Sequence, residues 1–303
     1  MTVQQIARLT IGGLLWFQLG VMPALSGDEQ PRPKRAEPNE DPKFDKDQYR
    51  RWIEYYRQEA ASYRFRLGAD RAKELELRVS PVLLYTNPVG ARGLTHGAVF
   101  VWTYEGRSEV VGAIWSHANT PGPNQRKVSH EFHSLSAEPL IAERKGEVVW
   151  STTQPGVQWI TPPGFPQPAP SAFGRLTQMR KLAKELKVTQ EDLNDESEEP
   201  LRLLPQPLYR YERESSAAND GAIFAFCVVW DPEVFVVIET RDTERGPTWN
   251  YAPIRFSHLT LTLHHQEKEV WRNTRGGNQH RDPTMGYKLF YGIAVQSEVI
   301  ESD

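Results

Sequence analysis

Histidine is the residue type in this chain that most readily suggests chemistry, because its imidazole binds metals and transfers protons near neutral pH. The segment HEFH at 130–133 resembles a zinc-protease signature but is one residue too short, since that signature needs histidines at i and i+4 of a helix. Its composition indicates a strand, in which Glu131 and His133 share a face. One hypothesis is therefore a metal-assisted hydrolase with zinc bound by His96, His117 and His133, and with Glu131 as base or as hydrogen-bond partner of a ligand.

Other catalytic patterns are absent from the sequence. There is no Gly-x-Ser-x-Gly elbow and no glycine loop of the kind that binds phosphate, so no cofactor is predicted. The single cysteine, Cys227, lies in the apolar run AFCVV and is expected to be a buried small hydrophobe. The sequence therefore favours a non-catalytic binding or scaffold protein over an enzyme.

A stretch of the chain resembles a later stretch. Residues 77–114 align without a gap on residues 201–238, and eleven of the thirty-eight pairs are identical, where about two or three are expected by chance. The alignment predicts an α+β fold, a tandem duplication of a helix-plus-antiparallel-β-sheet module related by a pseudo-twofold axis. The alignment is compatible with two arrangements. In one, a single continuous sheet carries two helices on one face; in the other, two sheets pack against each other. No first-half histidine is repeated, since His96, for example, aligns with Asp220.

Hydrophobic periodicity predicts the elements of each module. An apolar stripe at helical spacing begins after Asp45 and runs to Leu67, and a second helix is expected from Ala172 to about Lys187 after a Ser171 N-cap. A hairpin is expected over 98–104 and 109–115 and an edge strand over 287–295. Each module, 44–170 and 171–303, is thus predicted to hold one helix and about four antiparallel strands.

The N-terminal region has the features of an exported protein. Residues 1–26 contain Arg8, an apolar core and small residues before Gly27, as in a cleaved signal peptide. Residues 27–43 are rich in proline and charge and are predicted to be a disordered linker. The expected location is periplasmic or extracellular, with no stable membrane span after cleavage. The net charge of −3 provides no basic field, so nucleic acid is not an expected partner.

Nine tryptophans leave a carbohydrate-binding alternative open. Two modules would leave a groove along their axis, and aromatic residues that differ between the halves are expected to line it. Such pairs are Trp102 against Phe226 and Tyr104 against Val228.

Four segments carry a resemblance to a known family: HEFHSLSAEPL at 130–140, RLTQMRKLA at 175–183, LRLLPQPLYRYE at 201–212 and DGAIFAF at 220–226. In these segments the chain resembles a family of uncharacterised exported bacterial proteins. The resemblance implies export and a shared fold, and it brings no activity or site residues. The expected partner is an envelope or extracellular protein or a glycan.

Overall fold

The computed structural model describes residues 46–87, 94–118, 125–191, 197–212, 220–275, 282, 284–296 and 300. The predicted signal peptide and linker lie outside the described residues. The chain divides into two units, Met1–Pro42 and Lys43–Asp303, and the second contains every helix and strand named below. No helix within the described ranges is long and apolar enough to cross a membrane.

The first part of the chain forms one helix and nine strands: α1 (Lys46–Ala61), β1 (Tyr63–Leu67), β2 (Lys73–Glu74), β3 (Glu76–Leu77), β4 (Leu83–Asn87), β5 (Thr95–Tyr104), β6 (Arg107–His117), β7 (Gln125–Ser134), β8 (Leu140–Arg144) and β9 (Glu147–Ser151). The second part follows with α2 (Ala172–Glu185), β10 (Leu186–Glu191), β11 (Glu198–Pro200), β12 (Arg202–Leu203), β13 (Tyr209–Glu212), β14 (Asp220–Val228), β15 (Asp231–Arg241), β16 (Thr248–Arg255), β17 (Leu261–His265), β18 (Lys268–Asn273) and β19 (Tyr287–Gln296).

The strands form four sheets in which all named pairs are antiparallel. Sheet A has the order β2-β1-β8-β9, and sheet D has the order β11-β10-β17-β18. Sheet B has the order β19-β7-β6-β5-β3, with β4 also on β5, and sheet C has the order β12-β14-β15-β16, with β13 also on β14. The C-terminal strand β19 pairs with β7, so the prediction of an edge strand over 287–295 is confirmed.

Three hydrophobic clusters arrange the sheets in layers. Alternate residues of β5 and β6 point to opposite faces. Phe100 and Ile114 pack with α1 and sheet A, whereas Val101 and Ala113 pack against sheet C. The far face of sheet C packs with α2 and sheet D. Sheets B and C are therefore the two inner layers, each buried on both faces.

Helix α1 is shorter than its apolar stripe predicts. It ends at Ala61, and Tyr63, Phe65 and Leu67 belong to β1, where every second residue is buried. Residues four apart share a face both in a helix and in a strand. The periodicity therefore did not reveal where the helix ends and β1 begins. Helix α2 begins after Ser171, whose side chain accepts a hydrogen bond from the Gly174 amide, as the sequence predicts.

The predicted α+β class and its helix-plus-sheet duplication are wrong. The described chain is mostly strand, with two helices and several antiparallel sheets. Each module was expected to hold one helix and about four strands in a single sheet. Instead, the strands of each part divide between an inner sheet, B or C, and an outer sheet, A or D. The two-residue and three-residue strands β2, β3 and β11 escape periodicity because they are too short to show alternation.

Gly156 lies where three backbone segments meet, and its replacement is a test of this packing. A Cβ at position 156 would lie 2.0 Å from the Ser134 carbonyl oxygen, and a Cβ added at Gly286 would lie 2.7 Å from the Gly156 Cα. Backbone atoms cannot rotate away as side chains do. Gly156→Ala is therefore expected to lower the free energy of unfolding by about 3 kcal/mol, measured by urea denaturation.

The matched control is Gly146→Ala in the β8–β9 turn. Gly146 has φ +84° and no atom near an added Cβ, so only left-handed backbone strain of about 1 kcal/mol is expected. Equal losses in the two variants would show that the backbone around Gly156 can move apart.

Candidate functional site

The three histidines of the predicted zinc site do not meet. His96 in β5 lies opposite Ser116 of β6 and faces α1, whereas His117 is the next residue of β6 and faces sheet C. His133 also faces sheet C, but it pairs with Val111, six residues from His117 along β6. At about 3.3 Å per residue, roughly 20 Å separates them. The zinc hypothesis is therefore wrong in its geometry.

Each predicted ligand has a different partner. The Nδ1 atom of His96 lies 2.8 Å from the Tyr56 hydroxyl under α1, and burial holds the pKa of His96 well below its usual range. The Nδ1 atom of His133 lies 3.0 Å from the Ser134 carbonyl oxygen. Glu131 accepts a hydrogen bond from the Tyr287 hydroxyl. Among the residues that the structure describes, no group of three His, Cys, Asp or Glu could hold a metal ion.

Cys227 is buried in β14, as the sequence predicts. Burial raises the pKa of its thiol to about 12. The thiol is therefore protonated at neutral pH and is a poor nucleophile.

Two residues of the predicted groove are core residues. Trp102 packs beneath α1 and Phe226 packs beneath α2, each only 1% exposed and on the outer faces of sheets B and C. They cannot line a groove between the sheets. Tyr104, which was predicted with them, is half-buried and does line a cavity.

That cavity, here called the cleft, has a volume of about 520 Å³ and opens where the β5–β6 turn meets the end of β15. The turn has two residues, Glu105 and Gly106, both with positive φ, which suits a tight hairpin of twisted strands. The hairpin places Arg107 at the first position of β6. Glu239 and Arg241 reach the same cavity from β15, and Trp159 reaches it from the segment before α2.

Arg107 joins the two inner sheets at the base of the cleft. Its Nε and Nη2 atoms donate to the two carboxylate oxygens of Glu239 at 3.0 and 3.3 Å. Its Nη1 atom lies 2.8 Å from a carboxylate oxygen of Glu109. Tyr211 donates a hydrogen bond of 2.6 Å to Glu239. Two carboxylates and one guanidinium thus form a fixed polar wall with charge-assisted hydrogen bonds.

The electrostatics of this wall follow from its burial. Burial raises the pKa of Glu109 above its usual range, and the adjacent Arg107 opposes the rise. Burial and the neighbouring Glu239 hold the pKa of Tyr211 well above its usual range, so its hydroxyl remains a hydrogen-bond donor. The side chains of Glu109 and Glu239 are 10% and 7% exposed, and both already bind Arg107.

The mouth of the cleft combines aromatic rings with cations. The Arg241 guanidinium lies 4.6 Å from the centre of the Trp159 ring, and the Lys73 ammonium lies 5.8 Å from the centre of the Tyr104 ring. Lys73 also donates to Glu138 at 2.6 Å. Both rings therefore already contact a positive charge.

The residues of this wall were not predicted from the sequence. One signal was available, because Glu109 and Glu239 are acidic residues in otherwise apolar strands. A buried carboxylate requires a partner. That partner, Arg107, is 132 residues away from Glu239 and could not be assigned from local pattern.

Comparison with protein-family models, with curated proteins and with solved structures gives no match to this chain.

Proposed function

We propose that this chain is an exported, non-catalytic binding protein whose cleft takes a ligand with an ammonium or guanidinium group. The observation that carries the proposal is the charge of the cleft. Its described lining includes five carboxylates and three cations, a formal excess of two negative charges: Glu105, Glu109, Glu138, Glu239 and Asp242 against Lys73, Arg107 and Arg241. A concave surface with one sign of excess charge concentrates ligands of the opposite sign.

The aromatic rings support the same ligand chemistry. Trp159 and Tyr104 each contact a cationic side chain. The Arg241 side chain is 40% exposed and donates to Glu239, so a ligand cation that displaces it gains both the Trp159 ring and that carboxylate. A ligand cation would then have a ring face and nearby carboxylates, as cationic ligands have in aromatic sites.

The arrangement of the wall favours binding over catalysis. A general acid or base must be able to exchange a proton with the substrate. Glu239 is occupied by three donors, from Arg107, Tyr211 and Arg241. No histidine or cysteine stands among the described residues that line the cleft. Export is part of the proposal and rests on the N-terminal sequence pattern.

Carbohydrate binding is the second candidate, and the aromatic lining favours it. Aromatic rings pack against the apolar face of a sugar, and planar charged groups bind its hydroxyls. Trp159 and Tyr104 could serve in this way beside Glu109 and Arg107. A neutral sugar would not benefit from the excess negative charge, and this difference separates the two candidates.

Calorimetric titration with glucosamine, arginine methyl ester and glucose tests the proposal. We expect both cationic probes to bind more tightly than glucose. Asp242→Asn removes one charge at the exposed rim and should weaken the cationic probes by about fivefold, since a charge pair at about 4 Å in water is worth roughly 1 kcal/mol. Glucose binding should not change.

Asp47→Asn is the matched control, because Asp47 is an exposed carboxylate on α1 and does not line the cleft. Glucose binding as tight as glucosamine, lost in Trp159→Ala, would support the carbohydrate candidate instead. Absence of binding by all three probes at millimolar concentration would overturn the cleft as a site of this kind.

A further inference from the structure

The outward face of α2 has an exposed aromatic residue. Phe173, in the first turn, is 77% exposed, which is the highest value for any large apolar side chain within the described ranges. Burial of a phenylalanine side chain is favourable, so transfer of Phe173 into an apolar phase would stabilise a contact made through this helix. Phe165 is half-buried beside the same helix and contacts Lys181 at 5.8 Å.

Cations follow Phe173 along the same face. Arg180, Lys181 and Lys184 line a cavity of about 390 Å³ with Thr177 and Glu185. Residues three and four apart share one face of a helix, so these side chains form one cationic surface. We call Phe173, Arg180, Lys181 and Lys184 the α2 face.

The charges of the α2 face are not neutralised by neighbouring acids. Within the described part of the chain, Lys181 and Lys184 form no ion pair, and Arg180 donates to the Gln206 amide oxygen. Glu185 lies 3.4 Å from His265. By contrast, Arg50 and Arg57 on the outward face of α1 lie 3.3 Å from Asp47 and Glu54. Of the two described helices, α2 therefore carries the cluster of cations without acidic partners, in a chain whose net charge is −3.

We propose that the α2 face docks on an anionic lipid bilayer. The cations would lie at the headgroup phosphates, and Phe173 would enter the boundary between headgroups and acyl chains. This combination of basic residues with an exposed aromatic one is typical of helices that lie in a membrane interface. A soluble polyanion would engage the cations but has no apolar layer to bury Phe173, so the bilayer is the occupant that uses the whole face.

The proposal is independent of the cleft, since none of the four residues lines it. The proposed contact is with the membrane surface and requires no membrane-spanning segment. Docking would hold the compact unit Lys43–Asp303 against the membrane through one helix.

The test is sedimentation with vesicles, using the chain from residue 27 so that the apolar segment before it does not bind lipid. The compact unit Lys43–Asp303 is intact in that chain. Binding is expected to vesicles that contain phosphatidylglycerol and not to vesicles of phosphatidylcholine alone. Lys181→Gln with Lys184→Gln should weaken binding by about 25-fold, because each lysine near an anionic surface contributes about fivefold. Phe173→Ser should weaken it by about tenfold.

Arg50→Gln with Arg57→Gln on α1 is the matched control and should bind as the parent chain does. Circular dichroism checks that each variant is folded. Equal binding to both kinds of vesicle, or binding that none of the α2 variants changes, would overturn the proposal. If the lysine variants lose vesicle binding but Phe173→Ser does not, the bilayer is overturned as the occupant. That result would indicate that the face binds a soluble polyanion.

Discussion

Replacement of Arg107 by alanine is expected to lower the free energy of unfolding by about 3–5 kcal/mol, the largest effect of any single change considered. The substitution leaves Glu109 and Glu239 buried between sheets B and C without their cation. Their side chains are only 10% and 7% exposed, so water solvates them poorly, and the native state must either keep uncompensated charges or take up protons. Urea denaturation at pH 7 measures the loss.

Arg50→Ala provides the control for removal of an arginine. Arg50 and Asp47 form an exposed pair, with side chains 81% and 69% exposed, and the expected cost is under about 1 kcal/mol. In a second comparison, Arg107→Met is combined with Glu109→Gln and Glu239→Gln. Removal of all three charges should recover part of the loss, because no charge is then left unpaired. A cost of about 1 kcal/mol or less for Arg107→Ala would mean that solvent reaches the carboxylates.

Stability is expected to fall as the pH is lowered from about 6.5 to about 4, and His133 is responsible for a large part of this fall. Burial lowers the pKa of His133 to about 4 in the folded chain, and the nearby Arg255 acts in the same direction. An unfolded chain binds the proton near pH 6.5. Because the unfolded state is protonated first, protons favour unfolding in this window, by about 3 kcal/mol from this histidine.

The measurement compares the parent chain with His133→Gln from pH 7.5 to pH 4. Glutamine does not titrate, so the stability advantage of the parent chain over the variant should shrink by about 3 kcal/mol as the pH falls. Burial also lowers the pKa of His96 and His130, and these groups remain in both proteins. Their contributions cancel in the difference. Parallel stability curves would show that His133 can be protonated in the folded state.

The longest apolar strands could be predicted from the sequence, and the shorter ones could not. The hairpin expected over 98–104 and 109–115 is formed by β5 and β6, and the edge strand expected over 287–295 is β19. These segments alternate or are apolar over several residues. By contrast, the acidic run at 190–199 shows no apolar alternation, yet Gln190 of β10 pairs with Glu199 of β11. Two-residue and three-residue strands depend on a partner rather than on their own composition.

The assignment of strands to sheets was also beyond the sequence. Strand β1 pairs with β8, so that Tyr63 lies opposite Arg144. Local pattern shows that Tyr63, Phe65 and Leu67 share a buried face, but it does not say which distant strand supplies the hydrogen bonds. Residues 63–67 were therefore expected to end a helix, whereas they form a strand of sheet A.

The sequence by itself determined the chemistry that was available: apolar strands long enough for two-sided burial, a basic and aromatic α2, and carboxylates within β6 and β15. Only the tertiary structure decided which of these groups meet. It separated His96 from His117 and His133 by the thickness and length of sheet B, and it brought Arg107 to Glu239 across 132 residues. The physical reason is that a side chain's position along a strand fixes its face, whereas its partner depends on how two sheets pack.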